Sequence, residues 1–206
     1  MTHDRDANGR LYPDPQRFPH GIKYLADYAH SKGVKLGIYN DYGKHTCGGY
    51  TGSEGYLLDD ARTFAEWEVD YLKMDGCYSE LLDQHDAYPA MARFLNETGR
   101  KIVYSCSWPA YDLDMDYAPL PPNCNLWRNW DDIECNWRSI KSIMDKFGNN
   151  TKWAEYAGPG HWNDADMIVA GLKGGTLTED ESKSHFAVWS ILASPLIMSN
   201  DLRELP

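Results

Sequence analysis

The 206 residues carry 31 acidic against 20 basic side chains, a net charge of −11 and a pI near 5.0, which argues against nucleic acid or an anionic membrane as partner. That length allows one domain with a sizeable core, and no apolar run approaches the roughly 20 residues of a membrane span. Eight Trp and fourteen Tyr suit either a carbohydrate site, where flat rings cover sugar faces, or ordinary buried packing.

Residues 1–19 are polar, with Pro13, Pro15 and Pro19, and read as a loop. Met1–Arg10 does not look like a secretory leader. Ile22, Leu25, Ala26 and Ala29 have helical spacing up to Gly33, a plausible stop. Val34–Asn40 reads as a strand running into a polar loop, Asp41–Thr51. Leu57–Trp67 is helical, Tyr71–Gly76 a strand, and Tyr88, Met91 and Leu95 mark a helix ending near Gly99. Ile102–Ser107 is a strand halted by Trp108-Pro109, and a loop with Pro119, Pro121 and Pro122 leads to a strand at Asn125–Trp130. Trp137, Ile140, Met144 and Phe147 predict a helix, followed by a strand at Asp166–Ala170, a helix at Glu179–Ala193 and a last strand at Leu196–Asn200.

Strands alternating with helices of ordinary length predict βαβ units and a parallel sheet. No G-x-G-x-x-G follows the first strand, which lowers the odds of a dinucleotide site and favours a (β/α) barrel. Six strands are legible, whereas a closed barrel of this type has eight.

The central stretch is Tyr71-Leu72-Lys73-Met74-Asp75-Gly76-Cys77, where Lys73 and Asp75 share one face of a strand ended by Gly76. A cation and a carboxylate there fit a nucleophile and its electrostatic partner, or equally an inward structural ion pair. Arg128 and Asp132 share parity after the next strand but one, so Asp132 is a candidate acid/base, unless Asp131 and Asp132 cap the helix near Trp137. Asn163-Asp164-Ala165-Asp166 offers a D-x-D that a metal could use with His3 and Asp4. No His pair at ligand spacing accompanies it, so hydrogen bonding to sugar hydroxyls or helix capping fits it better, and no metal is expected. His20, His30, His85 and His185 lie in or beside helices and read as structural.

Of five cysteines, none forms a C-x-x-C pair. In a barrel the loops bearing Cys47 and Cys77 are neighbours, as are those bearing Cys106 and Cys124, which predicts two local bridges and a free Cys135. Sequons at Asn96 and Asn149, with pairable cysteines, lean towards a secretory or lysosomal protein.

Several segments together resemble the lysosomal α-galactosidase/α-N-acetylgalactosaminidase family, glycoside hydrolase family 27. They are Asp14–Ile22, Lys35–Tyr39, Lys73–Cys77, Trp127–Asn129, Ala157–Asp164 and Met198–Arg203, in collinear order over essentially the whole chain. The resemblance implies a (β/α)8 barrel, a retaining mechanism, no cofactor, frequent homodimers, and a glycolipid or glycoprotein oligosaccharide as substrate. By position it makes Asp75 the nucleophile and Asp132 the acid/base. Tyr39, Lys73, Tyr111, Arg128 and Asp166 become sugar contacts, with Cys47 lining the pocket, and both predicted bridges match family disulfides. In Cys106–Tyr111 the variable pair is Ser107 and Ala110, the pair of the N-acetylgalactosaminidase branch, where the galactosidases carry Glu and Leu. Family members begin with two further strands, bearing a Trp and an Asp-Asp pair that bind the sugar, and continue into a β-sandwich. The resemblance therefore implies an incomplete barrel holding about strands 3–8, and leaves an α-galactosidase of the same family, or a non-catalytic fragment or glycan-binding decoy chain, as alternatives.

Overall fold

A computed structural model describes residues 1–204. The chain runs α1 (Gly21–Ser31), β1 (Gly37–Asp41), α2 (Leu57–Glu66), β2 (Tyr71–Asp75), α3 (Leu81–Glu97), β3 (Val103–Cys106), α4 (Trp108–Tyr111), α5 (Leu120–Asn123), β4 (Leu126–Arg128), α6 (Trp137–Asn149), β5 (Trp162–Asp164) and α7 (Glu179–Ile191). A short 3₁₀ turn, Thr151–Glu155, separates α6 from β5. The sheet has five parallel strands in the order β1-β2-β3-β4-β5.

Its two faces follow from the period-2 pattern of strands. On one, Leu72, Met74, Tyr104, Cys106, Trp127 and Asn163 are all buried against the helices. Phe64 of α2, Tyr88 and Met91 of α3, Ile140 and Ile143 of α6 and Trp189 of α7 complete that core. Each such aliphatic or aromatic side chain is worth roughly 1.5–3 kcal/mol on burial. The opposite, concave face carries the alternate residues, with Asp41 beside Asp75 and Arg128 beside Asp164 in register. Chemistry-bearing side chains thus collect at the carboxyl ends of the strands.

The expected elements differ from the observed ones in a few places. The strand expected at Val34–Asn40 begins only at Gly37 and extends to Asp41, so Asp41 belongs to β1 and not to the loop. The strand expected at Asp166–Ala170 lies earlier, at Trp162–Asp164, because Asp166 takes a φ of +77° that no strand accommodates. Leu196–Asn200 contributes only one bridging residue, Met198, parallel to Ile168. Six expected strands therefore become five and a bridge. The proline-rich loop holds the short α5, with Pro121 and Pro122 in its first turn, where a missing N–H costs nothing. Asp131 and Asp132 do not cap α6; Asn136 does, its side chain accepting the Ser139 N–H at 2.9 Å.

The polar N-terminal segment is tied down by one residue. Arg5 lies under the Tyr56 ring at 3.9 Å and bonds both oxygens of buried Asp60 at 2.6 and 2.7 Å, besides the carbonyls of Gly9 and Gly52. The four histidines in or beside helices make hydrogen-bond or packing contacts. His30 bonds Asp70 at 2.7 Å, His85 bonds Asp112 at 2.9 Å, and His20 packs on Tyr24. Buried His185, pushed down to about 4 by burial, accepts the Val169 N–H. Asn96 and Asn149 are both exposed.

Candidate active site

Asp75 ends β2, with Gly76 immediately after it. A side chain at Gly76 would meet Gln84 at 2.7 Å and the Tyr111 ring at 2.9 Å, so glycine lets Tyr111 lie across the strand end. Two phenols clamp the carboxylate. Tyr39, from β1, donates to Asp75 Oδ2 at 2.9 Å, and Tyr111, from α4, donates to Oδ1 at 2.8 Å. The Gly76 N–H adds a third bond, at 3.1 Å. Burial and the Asp75 charge raise both phenols well above the usual tyrosine range, so they remain donors.

Beneath this clamp lies the Cys47–Cys77 disulfide, formed as expected, as is Cys106–Cys124. Cys47 Sγ sits 3.5 Å from Asp75 Oδ2 and Cys77 Sγ 3.2 Å from the Tyr111 hydroxyl. Bridged sulfurs carry no proton, so these contacts shape the floor without donating to it. Cys135 is free, its thiol directed at the Val169 carbonyl at 3.1 Å.

Arg128, at the end of β4, centres a second cluster. Its Nη2 lies 3.0 Å from both Asp132 Oδ1 and Asp166 Oδ2, and donates to the carbonyls of Trp130 and Asp131. Asp166 also accepts the Ile133 N–H at 2.9 Å, pinning the loop just past Asp132. Asp164 accepts the Asp166 N–H at 2.8 Å and so holds the left-handed turn. Burial pushes the Asp164 carboxyl up, with Arg128 opposing the shift. Arg128 is 5 % exposed and Asp132 96 %, so the guanidinium is a fixed base from which an open carboxylate projects.

Expected and observed partners diverge at Lys73. Its ammonium stands 5.9 Å from the centre of the Tyr39 ring and makes no ion pair with Asp75, so the inward structural pair does not form. Arg128 pairs with Asp132 and Asp166 rather than with Asp75. In the D-x-D, Asp166 already faces a guanidinium where a metal would sit. Asp27, His30 and Glu68 form another cluster of possible metal donors, but Lys23 bridges Asp27 and Glu68.

Ser107 and Ala110 flank the same strand end, at the start of α4 and within it. Among the described residues the buried Ser107 hydroxyl has no hydrogen-bond partner, unlike the Tyr111 hydroxyl, which donates to Asp75. Asp41 is a residue that sequence reasoning placed in a loop. It shares parity with Tyr39 as Asp75 does with Lys73, which is the signal that points to it.

Carboxylates thus collect at the carboxyl ends of parallel strands, one clamped by two phenols and one projecting from a buried arginine, as on a βα-barrel scaffold. The chain belongs to the family described as Alpha galactosidase A (Melibiase_2), whose model matches residues 1–206. Gallus gallus α-N-acetylgalactosaminidase is 55% identical over 207 residues, covering 98% of this chain and 51% of that protein. Homo sapiens α-galactosidase A is 51% identical over 210 residues, 100% of this chain and 48% of that protein. The crystal structure of α-galactosidase I from Mortierella vinacea superposes with a TM-score of 0.90 at 34% identity, over 100% of this chain and 56% of that one. The chain spans about half the length of the curated relatives it matches.

Proposed function

We propose that this chain carries the catalytic centre of a retaining exo-glycosidase that removes terminal α-linked N-acetylgalactosamine from glycolipid or glycoprotein oligosaccharides. The observation that carries this reading is the Asp75 clamp, which fixes one carboxylate rotamer at the mouth of the strands. Asp75 attacks the anomeric carbon while protonated Asp132 gives its proton to the leaving oxygen, and the C1–O bond breaks. Asp132 then takes a proton from the water that cleaves the glycosyl–Asp75 ester. Lys73, Arg128 and Asp166 bind sugar hydroxyls, and Tyr39, Cys47 and Tyr111 line the ring. The test is stereochemical. Proton NMR of the first sugar released should show the α-anomer, and release of the β-anomer would exclude double displacement.

Preference for the 2-acetamido sugar over galactose rests on Ser107 and Ala110. Ser107 is short enough to leave room for the acetamido group, and Ala110 is small enough to admit its methyl. Burying that methyl is worth about 0.8 kcal/mol, which discriminates only several-fold. Steric exclusion is the larger effect, since overpacking costs about 1–3 kcal/mol. Ser107→Glu with Ala110→Leu should therefore turn the preference towards galactose. An unchanged ratio of kcat/KM for the two nitrophenyl glycosides would show that this pair does not set specificity.

The sheet favours one further expectation. Among the described residues β1 pairs only with β2, and a cleft of about 560 Å³ lined by Ile38, Tyr71, Val103 and Ile197 runs along the concave face. Two further strands would close it into the eight-stranded barrel. Purified residues 1–206 should then turn over a nitrophenyl α-N-acetylgalactosaminide far more slowly than the Gallus gallus relative. A rate within tenfold would contradict this, and none at all would favour the non-catalytic alternative. The exposed sequons, both disulfides and the family's habits support a secreted or lysosomal, glycosylated homodimer.

A further inference from the structure

Asp41 is fully buried, yet among the described residues it forms no ion pair. The groups facing it are Asp75 from β2, the phenols of Tyr39, Tyr88 and Tyr111 from β1, α3 and α4, the Cys47–Cys77 sulfurs, and the N–H groups of Gly43 and Cys77 from the two adjoining loops. Both carboxylate oxygens are used. Oδ1 accepts the Gly43 N–H at 2.8 Å and Oδ2 the Cys77 N–H at 3.1 Å, while its backbone carbonyl accepts the Ser53 N–H at 2.9 Å. One side chain thus ties the β1–α2 loop to the β2–α3 loop on either side of their disulfide. Cys47 Sγ lies 3.6 Å from Asp41 Oδ2 and 3.5 Å from Asp75 Oδ2, wedged between the two carboxylates.

The loops have no slack to absorb an error. A Cβ at Gly43 would stand 1.9 Å from the Cys77 carbonyl oxygen, and one at Gly52 would stand 1.9 Å from the Gly43 oxygen. An amide in place of the carboxylate offers one acceptor and turns an N–H towards the other donor. A displaced Cys77 moves Tyr111, whose hydroxyl touches both Cys77 Sγ and Asp75.

We propose that Asp41 is a positioning residue for Asp75, holding the disulfide floor and the Tyr111 side of the clamp against the nucleophile. This role presupposes Asp75 as nucleophile. Burial, with a contribution from the Asp75 charge, pushes the Asp41 carboxyl up to about 7, so its charge switches near neutrality within sight of Asp75.

The test uses residues 1–206 with carboxyl-¹³C aspartate. In the wild type the Asp75 resonance should shift near pH 7 as Asp41 titrates, and in Asp41→Asn that inflection should vanish. The variant's kcat should fall about 10²-fold, the scale on which an ångström of misplacement acts. KM should stay within about twofold, and the limb of the pH profile near 7 should be lost. A kcat for Asp41→Asn within about threefold of the wild type overturns the role. An unchanged pH profile in the variant also overturns it. A kcat for Asp75→Asn equal to that of the wild type refutes the nucleophile reading instead, and leaves the coupling of the two carboxylates standing.

Discussion

Asp75→Asn should lower turnover by more than about a thousandfold, within the range that removing a nucleophile costs. The amide is nearly isosteric with the carboxylate but cannot form the glycosyl ester. The clamp survives the change. Asn Oδ1 still accepts one phenol, and because a tyrosine hydroxyl both donates and accepts, the amide NH₂ can bond the other. The stability change should stay near 1 kcal/mol, the scale of one hydrogen bond, which is a Tm shift of about 2–4 °C at this chain length. Rate and Tm measured on one preparation separate chemistry from folding. A variant that keeps a tenth of the wild-type rate would remove Asp75 from the nucleophile's position.

Gly43→Ala should be among the most damaging small substitutions on the molecule. The new methyl would lie 1.9 Å from the Cys77 carbonyl oxygen and 2.7 Å from the Tyr78 carbonyl carbon, both backbone atoms that cannot swing aside. Relief requires the two loops to part, against the Cys47–Cys77 bridge and the Asp41 hydrogen bonds. Such overpacking costs about 3 kcal/mol or more, a Tm loss of about 6–12 °C. Turnover should fall with it, because the loops carry the floor under Asp75. Gly48→Ala is the control. Its methyl would meet only the Tyr50 ring at 3.6 Å and Thr46 Oγ1 at 3.9 Å, and its effect should stay within about 0.5 kcal/mol. Equal melting temperatures for the two variants would mean that the loop contact is not as tight as its geometry.

The elements that sequence reasoning reads well are those where pattern and burial coincide. Tyr71–Asp75 alternates cleanly because Leu72 and Met74 face the helices while Lys73 and Asp75 face the concave side. The bridges were legible for a topological reason: consecutive parallel strands put consecutive loops side by side. Less legible were positions where local chemistry contradicts the pattern. Val34 looks like a strand residue but is 58 % exposed before the sheet begins. Asp41 reads as loop because polar residues follow it, although its register partner is Asp75, the proposed nucleophile. The strand expected at Asp166 was displaced because a side-chain bond from Asp164 stabilises a backbone conformation rare outside glycine. The Arg128 cluster was visible only as shared parity between Arg128 and Asp132; that one guanidinium serves both Asp132 and Asp166 is a tertiary fact.

The most direct measurement is to trap the glycosyl ester. A fluorinated glycoside of α-galacto configuration with an activated leaving group forms the covalent intermediate and hydrolyses slowly, so label accumulates even on a sluggish enzyme. After digestion, mass spectrometry should find one sugar on the peptide containing Tyr71–Cys77, fragmentation should assign it to Asp75, and Asp75→Asn should take up none. Label on Asp132, on Asp41 or on any other residue, or uptake that survives Asp75→Asn, would contradict Asp75 as the nucleophile.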